Sequence, residues 1–305
     1  MRRRSCWICG LAVLMFLAGF FLAAYFAPAR PRSAMRRSAK PPTTATAAPT
    51  TIPPAPPVCP FANGFKGYVG IYAKNLETGR TYALNADQVF AAASTIKVPV
   101  SVVMYRQFYD QADFWDQVAY DVGVELMMLI SDNEYFAVFL DEIEEKIGAG
   151  KIRALFAELG MTSTTIRDAK ARELYGYSNI TTARDMAILF ERLYRGSLIR
   201  PDKRDFMLDA MAHSIFPDEM ARYLQDRRVM HKIGDLDDVL ADVGIVEGPG
   251  GPVLISIFTE TRLEQDYASD YIAAISACLY TALSGNATSW SGEFHSLHDP
   301  DLPKP

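Results

Sequence analysis

No acidic residue occurs before Glu77, and the chain of 305 residues holds four cysteines, four histidines and three tryptophans. Four cysteines are too few for a disulfide-dense small scaffold. The pair with zinc-like proximity, Cys6 and Cys9, lies in an apolar run, which excludes a zinc ribbon. The histidines, at 213, 231, 295 and 298, come without a G-x-S-x-G elbow, so a Ser-His-Asp reading has no support. Basic residues are scarce where nucleic acid would need them. Beyond residue 76 there are 21 against 36 acidic ones, a net of -15, and so acidic a body argues against nucleic acid as the main partner. Half of the residues are hydrophobic, enough for a sizeable core in one large domain or two small ones.

The basic excess sits at the other end, where residues 1–76 hold ten Lys or Arg. Arg2, Arg3 and Arg4 precede an uncharged run of 21 residues, Cys6 to Phe26. At about 1.5 Å per residue this run matches the roughly 30 Å hydrocarbon core of a bilayer. The expectation is a membrane helix, with a secretory signal cleaved near Ala27-Pro28-Ala29 as the alternative. Five basic residues (Arg30, Arg32, Arg36, Arg37, Lys40) follow the run, so charge counting alone would keep the body inside. The next segment argues for outside. Residues 28–57 carry nine of the 18 prolines among Thr and Ala, with no helical or strand period. Thirty such residues at about 3.1 Å each form a tether of up to roughly 90 Å, which suits work in or near a cell wall. The expected organisation is a cytoplasmic tip and anchor (or signal) over 1–27, a linker over 28–61, a globular domain over 62–285 and a disordered tail over 286–305. The globular domain is expected to be extracytoplasmic, on a single-pass anchor in the cell membrane.

Within the body, GYVGIYAK from Gly67 alternates and is β-rich, Asn75 to Gly79 supply turn residues, and RTYALN resumes the alternation, which predicts a hairpin. A helical block follows from about Ser94 to Tyr223, punctuated by Gly148, Gly160 and Gly176. Strand character returns in VMHKIG, VLADVGIVEG and PVLISIFTET, before a last helix from about Tyr267 to Leu283. Strands at the two ends are too few for separate sheets. The fold class is therefore α/β of the α+β kind: one antiparallel five-stranded sheet flanked by terminal helices, with an inserted all-helical lobe and an N-terminal transmembrane helix.

Three short motifs carry the chemistry. Ser94 and Lys97, three apart at a helix start, put hydroxyl and amine on one face, and a lysine can activate a serine only if its proton affinity is depressed. Ser131-Asp132-Asn133 joins a hydroxyl that can shuttle a proton to an amide that can meet a substrate carbonyl. Lys232-Ile233-Gly234 offers a cation on a strand beside a glycine that lets substrate approach the backbone. Each alone reads equally as a capping serine with a solvated lysine, a helix cap, or an ordinary strand.

Together and in this order they resemble the serine β-lactamase and penicillin-binding-protein superfamily, whose signatures are S-x-x-K, S-x-N and K-T-G. The resemblance spans about 62 to 285 and is closest to the class A β-lactamase-like branch, where Asn179 to Asp185 resembles the segment after the omega loop. It implies Ser94 as acylated nucleophile, Lys97 as its activating partner and Ser131 as the relay to the leaving nitrogen. It further implies Asn133 as a substrate-amide contact, Lys232 as the cation beside the shuttle or the substrate carboxylate, and backbone N–H groups of Ser94 and Asp235, after Gly234, as an oxyanion hole. Such a site needs no metal and no cofactor. The resemblance also implies that the elements carrying Cys59 and Cys278 pack together, where an oxidising compartment could join them; the expectation is a buried thiol at Cys278, with the disulfide as the alternative.

Departures from the pattern set further expectations. Ile233 stands where Thr is usual, and Asp235, Asp237 and Asp238 add negative charge, so affinity for anionic penicillins is expected to be low. The E-x-x-L-N pattern is missing, and Glu173 reads better as an exposed carboxylate than as a water activator. The expected function is β-lactam hydrolysis through an acyl-enzyme. The rivals are a D-alanyl-D-alanine carboxypeptidase acting on peptidoglycan stem peptides and a catalytically silent domain that binds wall peptide or a protein.

Overall fold

The computed structural model describes residues 59–294 and 296; the expected anchor, the tether up to residue 58 and the end of the tail lie outside the described residues. Among the described residues no helix is long and apolar enough to cross a membrane. The predicted hairpin forms from β1 (Tyr68–Asn75) and β2 (Thr81–Leu84). Its turn is set by Asn75, whose Oδ1 accepts hydrogen bonds from the backbone N–H of Glu77 (3.0 Å) and Thr78 (2.8 Å). A two-stranded ribbon follows from β3 (Val89–Ala91) and β4 (Ile180–Thr182), which pair antiparallel across the helical block. This ribbon was not expected, because three-residue strands are too short to show a period of two.

The last three strands are β5 (Arg228–Leu236), β6 (Val239–Glu247) and β7 (Val253–Glu260). The sheet runs β2-β1-β7-β6-β5, with β1 and β7 paired from Tyr68 against Glu260 to Asn75 against Val253. The early hairpin and the late strands thus close one antiparallel sheet, as the sequence implied. Its two faces bury different sets: Ala241, Val243, Ile245, Leu254 and Phe258 pack toward the helical lobe, and Leu240, Val246, Ile255 and Ile257 toward the terminal helix. Burial on both faces explains the nearly unbroken apolar runs of β6 and β7.

The lobe comprises α1 (Lys97–Gln107), α2 (Phe114–Leu129), α3 (Asn133–Ile147), α4 (Ile152–Glu158), α5 (Ala169–Tyr175), α6 (Ala183–Tyr194) and α7 (Pro201–Ala212). Its starts are capped by side chains: Asp113 for α2, Asp132 for α3, Asp168 for α5 and Thr182 for α6 each accept from a first-turn N–H. The closing helix α8 (Gln265–Ser284) covers the other face of the sheet.

The domain is longer at both ends than expected. The sequence predicts a disordered tail over 286–305, yet Phe294 stacks on Phe61 and meets Tyr271 edge-on, Trp290 approaches Phe61, and the Ser296 hydroxyl donates to Asp270 at 2.7 Å. Scattered aromatics in a polar segment carry no periodicity, so the sequence concealed this lid over α8. Phe61, placed in the linker, belongs to the same cluster. In place of the expected buried thiol, Cys59 and Cys278 form a disulfide with Cα atoms 5.8 Å apart, tying the chain before β1 to α8 across 219 residues of sequence. The Cys59→Ala, Cys278→Ala pair should cost about 2–4 kcal/mol in urea unfolding; unchanged stability would show that the link carries no load.

Candidate active site

Ser94 stands on a 3-10 turn, Ala93–Ile96, between β3 and α1. Ala91 and Ala92 before it are buried, and Ala93 adopts φ +43, a left-handed conformation that only a packed surrounding sustains in a non-glycine residue. Here β5 presses on the turn. A Cβ at Gly234 would lie 3.0 Å from Thr95 Cγ2 and 3.1 Å from Ala93 Cβ, so strand and turn are in close contact at this glycine. As the outermost strand, β5 leaves alternate backbone groups unpaired by the sheet.

Two lysines enter from below. Lys97, 1% exposed, places Nζ 2.8 Å from Ser94 Oγ, 2.9 Å from the Ser131 carbonyl oxygen, 2.7 Å from Asn133 Oδ1 and 3.2 Å from Ser131 Oγ. Lys232, fully buried, donates to Ser131 Oγ and to the Ile233 carbonyl, both at 2.9 Å. Ser131, at φ +59 between α2 and the Asp132 cap, presents both its oxygens to Lys97. Burial lowers Lys97 to about 8, with the Asp132 charge opposing. Burial, then the Lys97 charge, lowers Lys232 to about 7 against the pull of Asp242.

The partners of Lys97 suit a neutral amine. A neutral lysine has two N–H bonds and one lone pair. In that form the Ser131 carbonyl and Asn133 Oδ1, which can only accept, take the two N–H bonds and leave the lone pair for the Ser94 hydroxyl to donate into; in the ammonium form the third N–H donates to Ser94 Oγ. The arrangement can therefore draw a proton from Ser94 and pass one on through Ser131, whose hydroxyl lies between both amines.

An open cavity of about 540 Å³ lies over Ser94. Lys97 and Asn133 line it together with Arg172, Tyr177 and Asn179 from α5 and the loop after it, and with Asp235 and Asp237 from the β5–β6 hairpin. Ser94, Lys97, Ser131, Asn133, Lys232, Gly234 and Asp235 are thus brought together, whereas Glu173 is exposed and its neighbour Arg172 lines the cavity instead. Arg172 lies outside the three motifs, and no local pattern marks it. So does the buried group behind Lys232, where His231 Nδ1 lies 2.9 Å from both Asp242 oxygens and the Met220 N–H donates to Asp242. The signal for it was a lone carboxylate inside the apolar run VLADVGIV.

Beside that group, burial and the Asp242 charge raise Glu219 from its ordinary 4.5 to about 7. The native state then holds this proton more tightly than the unfolded chain, so its stabilisation is complete below about pH 4.5 and lost as pH rises through 7. Glu219→Gln keeps a neutral group there. It should be the more stable protein above pH 7 by up to about 3 kcal/mol, with the difference fading toward pH 4.5; parallel stability curves for the two proteins would contradict this.

Fold and site define a class before any comparison: an α+β domain whose paired lysines flank two serines below an open cleft. Solved structures share the fold. PBP-A is 25% identical, with a TM-score of 0.62 over 72% of this chain and 91% of its own. A PBP-A mutant in an acyl-enzyme complex with penicillin G is 26% identical, with the same TM-score and coverage. A β-lactamase from Sphaerobacter thermophilus, 22% identical, has a TM-score of 0.60 over 72% of this chain and 93% of its own. No curated protein matches the sequence. Residues 58–121 and 116–283 match the model of the beta-lactamase enzyme family, and the chain belongs to that family, within the serine β-lactamase and penicillin-binding-protein superfamily.

Proposed function

We propose that the chain is a membrane-tethered, extracytoplasmic serine hydrolase that opens a β-lactam or a related amide through an acyl-enzyme on Ser94. The observation that carries this reading is the 2.8 Å contact of a buried lysine amine with the Ser94 hydroxyl. At a pKa of about 8, roughly one Lys97 in ten is neutral at pH 7, against about one in three thousand at 10.5. The neutral amine takes the Ser94 proton as Oγ attacks the carbonyl carbon. Backbone N–H groups of Ser94 and Asp235 receive the oxyanion. As the carbon–nitrogen bond breaks, Ser131 gives its proton to the leaving nitrogen and regains one from Lys97. Lys232 holds the Ser131 hydroxyl in place, and Asn133, with Oδ1 on Lys97, turns its NH2 to a substrate carbonyl. The tethered, extracytoplasmic placement draws on the apolar run, the proline-rich segment and the disulfide, which needs an oxidising compartment.

A second reading rests on the wall of the cavity. The carboxylates that line it are Asp235 and Asp237, and the segment 169–179 contributes none, so no group there is placed to activate water against the acyl-enzyme. Slow release favours a D-alanyl-D-alanine carboxypeptidase, which penicillin traps as a long-lived adduct. Rapid turnover of a chromogenic cephalosporin supports the lactamase reading instead.

Mass spectrometry of the intact protein after benzylpenicillin treatment should show one added penicilloyl group in wild type and none in Ser94→Ala. Lys97→Met should slow its formation by about 10²–10⁴-fold. An unmodified wild-type protein would point to a catalytically silent binding domain.

A further inference from the structure

The cavity over Ser94 has two walls of opposite charge. From α5 comes Arg172, whose guanidinium makes no hydrogen bond or ion pair with another described residue. From the β5–β6 hairpin come Asp235 and Asp237, whose carboxylates likewise have no such partner, although both residues line the cavity. Asp238 and Glu260 add to the negative field on that side; burial first, and then Glu260, Asp238 and Asp237, raise the Tyr177 hydroxyl above its ordinary value. Arg262 shares a neighbouring cavity with Asp238 and Glu260, which leaves Asp235 and Asp237 as the carboxylates of the Ser94 cavity. Position 233, next to this pair, is an apolar Ile buried in the strand. The Lys232 ammonium is turned inward, onto Ser131 Oγ and the Ile233 carbonyl. The hairpin side of the cleft is therefore built to repel an anion and to attract a cation.

Resting on the acyl-enzyme reading above, we propose that Asp235 and Asp237 are specificity-determining residues, and that the site selects amides or lactams bearing an ammonium group within a few bonds of the scissile carbonyl. If the Asp235 N–H receives the carbonyl oxygen, the reacting carbon stands beside that residue, and an ammonium a few bonds away falls within reach of one or both carboxylates. Arg172 on the opposite wall is free for a carboxylate elsewhere in the same molecule, so the preferred substrate is zwitterionic.

Three penicillins that differ at one substituent test this. Benzylpenicillin has hydrogen on the side-chain α carbon, ampicillin an ammonium and carbenicillin a carboxylate. Each contact with a partly solvated carboxylate is worth about fivefold, so wild type should acylate about ten- to thirtyfold faster with ampicillin than with carbenicillin, benzylpenicillin falling between. The ratio should narrow as salt rises from 0.05 to about 0.5 M. Asp237 sits at φ +46, a conformation that asparagine accepts, so Asp237→Asn keeps the hairpin. This variant should react more slowly with ampicillin and faster with carbenicillin, reducing the ratio at least threefold. Loss of folding would slow both alike, so opposite changes identify the charge. A wild-type ratio near one, or a ratio untouched in Asp237→Asn, overturns the specificity while leaving the acyl-enzyme intact. Failure of all three to label wild type overturns both.

Discussion

Two ammonium-bearing side chains, Lys97 and Lys232, are buried against one half-buried hydroxyl, that of Ser131, and the chemistry of the site depends on what this costs. Their distances to that oxygen, 3.2 and 2.9 Å, put the two nitrogens within about 6 Å of each other. At an effective dielectric constant near 20, two positive charges so close repel by about 3 kcal/mol, and loss of water adds to the penalty. The cheapest relief is to release a proton. Burial lowers the proton affinity of Lys97, and burial with the Lys97 charge lowers that of Lys232; when Lys97 is neutral, the neighbouring oxygens of Ser131 and Asn133 fix which way its lone pair points.

The fold delivers this arrangement by bringing three distant parts of the chain against one strand. β5 lies at the end of the sheet, and its glycine allows the Ser94 turn to pack directly on it. The small ribbon β3–β4 holds that turn from behind, with the Ala92 N–H donating to the Asn179 carbonyl at 2.9 Å. The lobe contributes Ser131 and Asn133 at one junction, where α2 ends and the Asp132 cap starts α3. Sheet and lobe are thus joined at the reactive point, and the disulfide and the aromatic lid secure the opposite face around α8.

Legibility in the sequence followed pattern length and order. The sheet was readable because its strands run for four to nine residues with turn residues between them. That Ser94, Lys97, Ser131, Asn133, Lys232, Gly234 and Asp235 lie together was readable from the order of three motifs, none of which is informative alone. Short or unpatterned features were not: the three-residue ribbon, the aromatic lid after residue 285, and Arg172, which the α5 backbone rather than any motif turns into the cleft. The His231–Asp242 pair escaped for another reason. Its members are eleven residues apart and meet only through strand register, a tertiary fact that neither β5 nor β6 carries by itself.

The central claim is that Lys97 works as a neutral base, and the pH dependence of acylation reads this directly. The second-order rate constant for benzylpenicillin, followed from pH 5.5 to 10, should rise about tenfold per unit and level off near pH 8. A profile that is flat across this range, or that keeps rising to about 10.5, would contradict the account, since Lys97 would then be either uninvolved or no easier to deprotonate than a lysine in water.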